Sequence, residues 1–311
     1  MNKQKVVIIG GGGMVGASAA YACALRQVVE EIVLIDRNTD LAWGQAADIN
    51  DAMGLDRNVV VRAGDYADIQ DDDIVVITAG SPQQPGQTRL ELIGVNAVII
   101  RDIVRQIMQH GARPYIVLVS NPVDAMTYVA LKESGLPKTR VFGTGTTLDT
   151  SRLKSLIADQ LSVNSRDVDA YILGEHGDSS FSTIETAQVG DVPLREYPGF
   201  REEMIDGIED KIRQRAYRVI ETKKSTYFAI GFVVSKIVSA LKQSTHTIYP
   251  VCSLAEGEYG LHNVVLGLPS AVSRDGVKIL TGFPLTEREQ AALRHSADVV
   301  SEAIASLENQ A

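Results

Sequence analysis

The chain has 311 residues, of which 45% are hydrophobic and 22% charged, and it carries a formal net charge of −9. That length suits two domains of ordinary size around a substantial buried core. The acidic balance, with no run of Lys or Arg able to track phosphates, argues against a nucleic-acid partner.

Lys3 and Lys5 followed by the apolar run from Val6 to Leu25 imitate a signal peptide, but Gly10 to Gly13 would weaken a signal or membrane helix and suit a strand-to-helix turn. No other stretch approaches about twenty continuous apolar residues, so no membrane span is read. Cys23 and Cys252 sit far apart in apolar contexts, as reduced core thiols of a cytoplasmic protein do.

Short β-branched runs, Val6 to Ile9, Ile32 to Ile35, Val59 to Arg62, Ile74 to Thr78 and Tyr115 to Val119, alternate with helical patterns at Met14 to Gln27, Leu41 to Met53, Leu92 to His110 and Val123 to Ser134. Strands apolar on both faces in such alternation predict an α/β fold: a Rossmann-type, doubly wound parallel sheet over residues 1–143. Beyond Gly143 the pattern changes. Helices are predicted at Asp149 to Leu161, Glu202 to Glu221, Thr226 to Gln243 and Thr286 to Leu307, with strands near Val168 to Leu173, Ser182 to Val189 and Asn263 to Val272. Residues 144–311 therefore read as a mixed α+β substrate-binding and catalytic domain sharing a cleft with the first.

Gly11-Gly12-Gly13-Met14-Val15-Gly16 lies between an apolar strand and a small-residue helix, at the spacing of a dinucleotide-binding turn. Gly11 would allow the tight turn, Gly13 the approach of a pyrophosphate and Gly16 close helix packing, with Met14 and Val15 in the same turn. Asp36 ends the second strand, where a carboxylate can accept both ribose hydroxyls and repel a 2′-phosphate, which favours NAD over NADP. A helix-capping role for Asp36 is the plainer alternative, and Arg37 beside it could tolerate a phosphate. Thr78-Ala79-Gly80 and Ser120-Asn121 end two further strands and should border the nicotinamide half of the cofactor. Asn96 is grouped with these cofactor residues. Asn121 could hold a carboxamide, ribose or substrate hydroxyl, or serve only as a turn before Pro122.

Between these segments, Gln83-Gln84-Pro85-Gly86-Gln87-Thr88-Arg89 sets a neutral amide six residues before a guanidinium on a Pro/Gly-flanked loop. Such a loop could carry Arg89 over a reacting carbonyl while Gln83 faces the far end of the substrate; an ordinary solvated loop is the competing reading. In Gly174-Glu175-His176-Gly177-Asp178 a histidine stands between glycines after an apolar strand. An imidazole there can exchange the proton that accompanies hydride transfer to or from a hydroxyl-bearing carbon. Asp149 and Arg152, three apart at a helix start, can respectively partner the far ring nitrogen and grip a substrate carboxylate through two parallel hydrogen bonds, or form no more than a surface ion pair. No second His or Cys stands at ligand spacing from Glu175, His176 and Asp178, so no metal is expected.

Taken together these motifs, with Lys224-Ser225-Thr226-Tyr227, resemble the lactate/malate dehydrogenase family over essentially the whole chain. The resemblance implies NAD as cofactor, reversible hydride transfer between NADH and pyruvate giving L-lactate, and a cytoplasmic homotetramer built from dimers and serving fermentative glycolysis. It assigns proton exchange to His176 with Asp149 as partner, substrate-carboxylate binding to Arg152, carbonyl polarisation to Arg89, and a place beside the substrate side chain to Thr226. Gln83 falls where lactate members carry glutamine and malate members arginine. A neutral amide suits the methyl group of pyruvate and would leave the second carboxylate of oxaloacetate desolvated without a cation. Where bisphosphate-activated members carry an arginine and a histidine, this chain has Lys154 and Asp169, which implies weak or absent activation by fructose 1,6-bisphosphate. The rival readings are the same chemistry on a bulkier or dicarboxylic 2-oxo acid, and a non-catalytic NAD-binding regulator; the joint presence of Asp149, His176, Arg152 and Arg89 opposes the latter.

Overall fold

The β-branched runs pair side by side because each buries both faces. Strands β1 (Val6–Ile9), β2 (Glu31–Ile35), β3 (Val60–Ala63), β4 (Ile74–Ile77), β5 (Tyr115–Leu118) and β6 (Val141–Gly143) form a parallel sheet in the order β3-β2-β1-β4-β5-β6. The computed structural model describes residues 4–55, 58–82 and 89–308, with Arg89 and Leu90 given by backbone alone. Ile8, Leu34, Ile77 and Leu118 are fully buried, and each such side chain contributes about 1.5–3 kcal/mol. Lys5 and Asp73, just before β1 and β4, form a buried ion pair at 2.7 Å.

The crossovers are helices α1 (Met14–Leu25), α2 (Thr39–Met53), α3 (Arg89–Gln109) and α4 (Val123–Ser134). Strand order reverses between β1 and β4, so the crevice outside their carboxyl ends is the ligand position of an open α/β sheet. Helix α4 is buried nearly all round, with every residue from Val123 to Leu131 inside, including Asp124 in its first turn.

Helix α5 (Thr147–Leu161) then leads into short strands β7 (Val168–Asp169), β8 (Ile172–Leu173), β9 (Phe181–Ser182), β10 (Gln188–Val189) and β11 (Val192–Pro193). The single strand expected from Val168 to Leu173 is two pieces in different sheets, β7 with β10 and β8 with β9. The one expected from Ser182 to Val189 is interrupted by a 3-10 turn at Ile184–Thr186. The expected helix from Glu202 starts as a separate 3-10 turn, Glu202–Met204, before α6 (Ile208–Lys223). Helix α7 (Phe228–Gln243) follows and packs on α1 so closely that a Cβ on Gly231 would lie 2.7 Å from the Ser18 carbonyl carbon.

Strands β12 (Thr247–Glu256), β13 (His262–Ser273) and β14 (Gly276–Ile279) add to β6 in antiparallel fashion and carry the first sheet on to nine strands, and α8 (Glu287–Glu308) closes the chain. Sequence reading misses β6, β12 and β14. The first is three residues long, and β12 is disguised by Pro250, which faces Pro269 across the ladder.

Candidate active site

The ends of the central strands are stitched together by short polar side chains. The Thr78 hydroxyl donates to the carbonyls of Ile9 (3.0 Å) and Gly10 (3.2 Å), binding the end of β4 to the glycine turn. Ser120 Oγ donates to Ala79 O at 2.6 Å. Asn96, buried in α3, accepts from the Ser81 amide at 2.7 Å and donates to the Asn121 carbonyl at 2.8 Å. These bonds form a continuous rim beside the sheet crevice, along which Asn121 is exposed.

The glycine turn is shaped for a bound anion. Its left-handed residue is Gly10 (φ 88°), one position before the Gly11 expected to make the tight turn. Gly11 is required by space instead, since a Cβ there would lie 2.8 Å from the Leu34 Cβ, and one on Gly16 would lie 2.3 Å from Gly10 O. A Cβ on Gly13 would meet only Gly10 O, at 3.4 Å, so this residue faces open space. Gly13 also caps α1 with no side-chain hydrogen bond and no acidic residue in the first turn, which leaves the first amides of the helix for a pyrophosphate. Asp36 accepts from the Gly12 and Asn38 amides, each at 3.0 Å. These bonds fix its carboxylate beside the turn.

The residues expected to exchange the proton are brought together by α5 and the loop after β8. Thr150 Oγ1 accepts from the Ile172 amide at 2.8 Å and Thr146 Oγ1 donates to the Ile172 carbonyl at 2.5 Å, so the start of α5 is clamped to β8. Asp149 then lies between an imidazole and a guanidinium: its Oδ2 is 2.7 Å from His176 Nδ1, and its Oδ1 accepts from Arg152 Nη1 at 2.8 Å. The Asp149 and Arg152 side chains are each 12% exposed, whereas His176 is 27% exposed and so can reach a ligand. Burial disfavours the charged imidazole, but the charge of Asp149, its hydrogen bond and the more distant Asp124 outweigh burial, and the pKa of His176 is raised. For Asp149, burial pushes the pKa upward, and His176 with Arg152 reverses this to leave it lowered.

Backbone and side-chain hydrogen bonds hold the histidine loop from several sides. Gly174 (φ 91°) exchanges two hydrogen bonds with Gly267 of β13, at 2.9 and 2.8 Å. Ser296 of α8 accepts from the Glu175 amide at 2.6 Å, and the buried Glu175 carboxylate accepts from Ser179 Oγ at 2.6 Å. Tyr217 of α6 donates to Asp178 at 2.8 Å. The His176 amide donates to Asp124 Oδ2 at 2.9 Å.

Two family models cover this architecture: the lactate/malate dehydrogenase NAD-binding domain matches residues 4–143, and the lactate/malate dehydrogenase α/β C-terminal domain matches residues 146–311. The chain belongs to the lactate/malate dehydrogenase family. Curated relatives include L-lactate dehydrogenases of Borrelia hermsii, 41% identical over 99% of both chains, and of Kosmotoga olearia, 42% identical over 99% of this chain and 98% of that one. Among solved structures, the ligand-bound minor L-lactate dehydrogenase of Enterococcus mundtii superposes with a TM-score of 0.94 at 41% identity, covering 99% of each chain.

With membership of the lactate/malate dehydrogenase family comes an NAD-binding domain, and the open space at Gly13 and the bare start of α1 fit that cofactor. Met14 is exposed and Val15 half-buried in the first turn of α1, and Arg37 is exposed beyond Asp36. The side chains of Asn96, Thr78 and Ser120 bond protein carbonyls and the Ser81 amide, and so tie together the backbone that borders the crevice. His176, Asp149 and Arg152 are brought together, whereas no hydrogen bond joins Thr226 to them among the described residues. Thr226 lies half-buried in the break between α6 and α7. Gln83 and its loop lie outside the described residues, as does the side chain of Arg89, whose backbone opens α3. Sequence reading passes over Asp124, although it stands only three residues after Asn121, and reads Cys252 as the reduced core thiol that it is, without its bond to Asp124.

Proposed function

We propose that this chain is an NAD-dependent L-lactate dehydrogenase that interconverts pyruvate and L-lactate. The observation carrying the reading is Asp149 held between His176 and Arg152, with the imidazole partly open. NAD, when bound, supplies or accepts the hydride. Arg152, immobilised by Asp149, presents its remaining N–H groups to a substrate carboxylate. His176 donates its Nε2 proton to the carbonyl oxygen in reduction and recovers it in oxidation, while Asp149 holds the ring in one tautomer and offsets the imidazolium charge. Arg89 would stabilise charge on that oxygen, and Gln83 would leave the methyl end of pyruvate beside an uncharged amide.

The assembly proposed is a cytoplasmic homotetramer. A groove of about 490 Å³ lined by Tyr21, Leu25, Arg26, Phe228 and Phe232, among others, with Leu25 59% and Phe228 69% exposed, supports a subunit contact on this face, and the number of subunits and the compartment follow the family resemblance. Among the described residues no single helix is long and apolar enough to cross a membrane. Weak or absent response to fructose 1,6-bisphosphate is supported by Lys154, whose ammonium faces Asp169 at 3.9 Å and the Tyr171 ring at 5.1 Å. The decisive assay follows NADH oxidation with pyruvate, oxaloacetate and 2-oxoisocaproate, with and without millimolar bisphosphate. The expected result is the highest kcat/KM for pyruvate and little change with effector. Preference for another acid, or a large effector-driven fall in KM, overturns the corresponding part of the reading.

A further inference from the structure

Beneath the acid-base pair lies a second carboxylate for which the mechanism above has no use. Asp124 is 3% exposed, in the first turn of the buried helix α4. Its Oδ2 accepts the His176 amide at 2.9 Å, and its Oδ1 accepts from Cys252 Sγ of β12 at 2.8 Å. Cys252 is itself fully buried, and burial first, then Asp124, pushes its thiol pKa well up, so it remains a protonated donor. Burial pushes the Asp124 carboxyl up, and the Cys252 thiol, the His176 amide, the charge of His176 and its own backbone amide oppose this without cancelling it; no cationic side chain is hydrogen-bonded to it among the described residues. Stability alone would be served as well by an amide or an apolar pair.

Resting on the lactate dehydrogenase reading, we propose that Asp124 is a positioning residue for His176: its buried negative charge, completed by the Cys252 thiol, favours the protonated imidazole and anchors the backbone that carries it. The charged groups facing His176 are Asp149 and Arg152 from α5 and Asp124 from α4. Within its own loop, Glu175 turns to Ser179 and Asp178 to Tyr217. Two carboxylates therefore support the imidazolium and one guanidinium opposes it. Asp149 acts on the ring nitrogen directly, whereas Asp124 acts through charge and through the main chain.

The test uses pH profiles of kcat/KM in both directions with full-length enzyme. Pyruvate reduction needs His176 protonated and declines as pH rises through its pKa; lactate oxidation needs it neutral and rises over the same span. In Asp124→Asn the side-chain oxygen can still accept the His176 amide and the amide nitrogen can still face Cys252, so shape survives while charge is lost. The expected result is crossed: reduction falls about threefold or more near pH 8, and oxidation increases by a similar factor near pH 6. A variant that merely loosened the loop would lower both directions with the limbs unmoved, and that result overturns the proposal. Should Asp124→Asn not fold, Cys252→Ala removes the foremost of the groups that oppose the burial-driven rise of the Asp124 carboxyl and should move both limbs the same way, with Cys252→Ser restoring them; unmoved limbs in Cys252→Ala again overturn it. Wild-type enzyme without pyruvate turnover would instead sink the functional reading itself.

Discussion

Asp149 is the residue on which two proposed tasks meet, since one oxygen holds the imidazole proposed to exchange the proton and the other holds the guanidinium proposed to bind substrate. Asp149→Asn keeps the volume and removes the charge. His176 then loses the partner that raises its pKa, and Arg152 loses the anchor at 2.8 Å. We expect kcat for pyruvate reduction to fall by about two to four orders of magnitude, with KM for pyruvate raised as well. The pH limb of reduction should also move downward, because protonated His176 is the active form and its folded pKa is no longer held up. Steady-state kinetics from about pH 5 to 9 checks all three; an unchanged KM would mean that Arg152 is oriented without Asp149. At this scale the sequence is legible where function requires a reactive side chain at a helix start or between glycines, as at Asp149, Arg152 and His176. It is silent on Asp124 and Ser296, because an aspartate after a proline turn and a serine in an amphipathic helix look ordinary until the chain folds them against the histidine loop from 52 and 121 residues away.

The glycine turn shows how an element is set by excluded volume as much as by conformation. Only Gly10 adopts a left-handed backbone, whereas Gly16 is needed because α1 passes so near the turn that a side chain would strike Gly10 O. Gly16→Val must therefore push α1 away from β1 and spoil the row of amides at its start. The expected cost is about 1–3 kcal/mol in stability together with at least a tenfold weaker NADH complex. Thermal unfolding without cofactor and NADH fluorescence titration measure the two separately, and a normal NADH affinity would mean that the start of α1 does not hold the pyrophosphate. The parallel strands were readable because burial on both faces leaves an uninterrupted apolar run. What escaped were elements defined by tertiary partners: the three-residue β6, and β12, whose Pro250 gives up a ladder donor while its carbonyl accepts the Thr146 amide at 3.1 Å. Those strands join the C-terminal domain to the sheet of the NAD-binding domain, so the place of Cys252 beside Asp124 could not be read from periodicity.

For the molecule as a whole, the nine-stranded sheet makes one scaffold of what the composition suggests are two units, and the faces left uncovered concentrate on α1, α2 and α7. Tyr21, Leu25, Trp43, Phe228 and Phe232 are all more than 40% exposed, a large apolar area for a protein of this net charge. Burial of Leu25 in a subunit contact would remove its side chain from water, so a glutamate there would carry a charge into a contact whose nearest cation, Arg26, is already engaged with Ser235 and the Phe232 ring. Leu25→Glu is therefore expected to convert the assembly to smaller species in sedimentation velocity at micromolar concentration, while the isolated chain keeps its circular dichroism. The single tryptophan, Trp43, reports independently: at 67% exposure in one chain its emission should be red-shifted in the dissociated variant and shielded from acrylamide in the wild-type assembly. Because α7 follows directly on the segment bearing Thr226 and packs tightly on α1 through Gly231, loss of the contact should also loosen the substrate end of the site and raise KM for pyruvate. A Leu25→Glu protein that remains the size of the wild type, with Trp43 equally exposed in both, would place the subunit contact on another face.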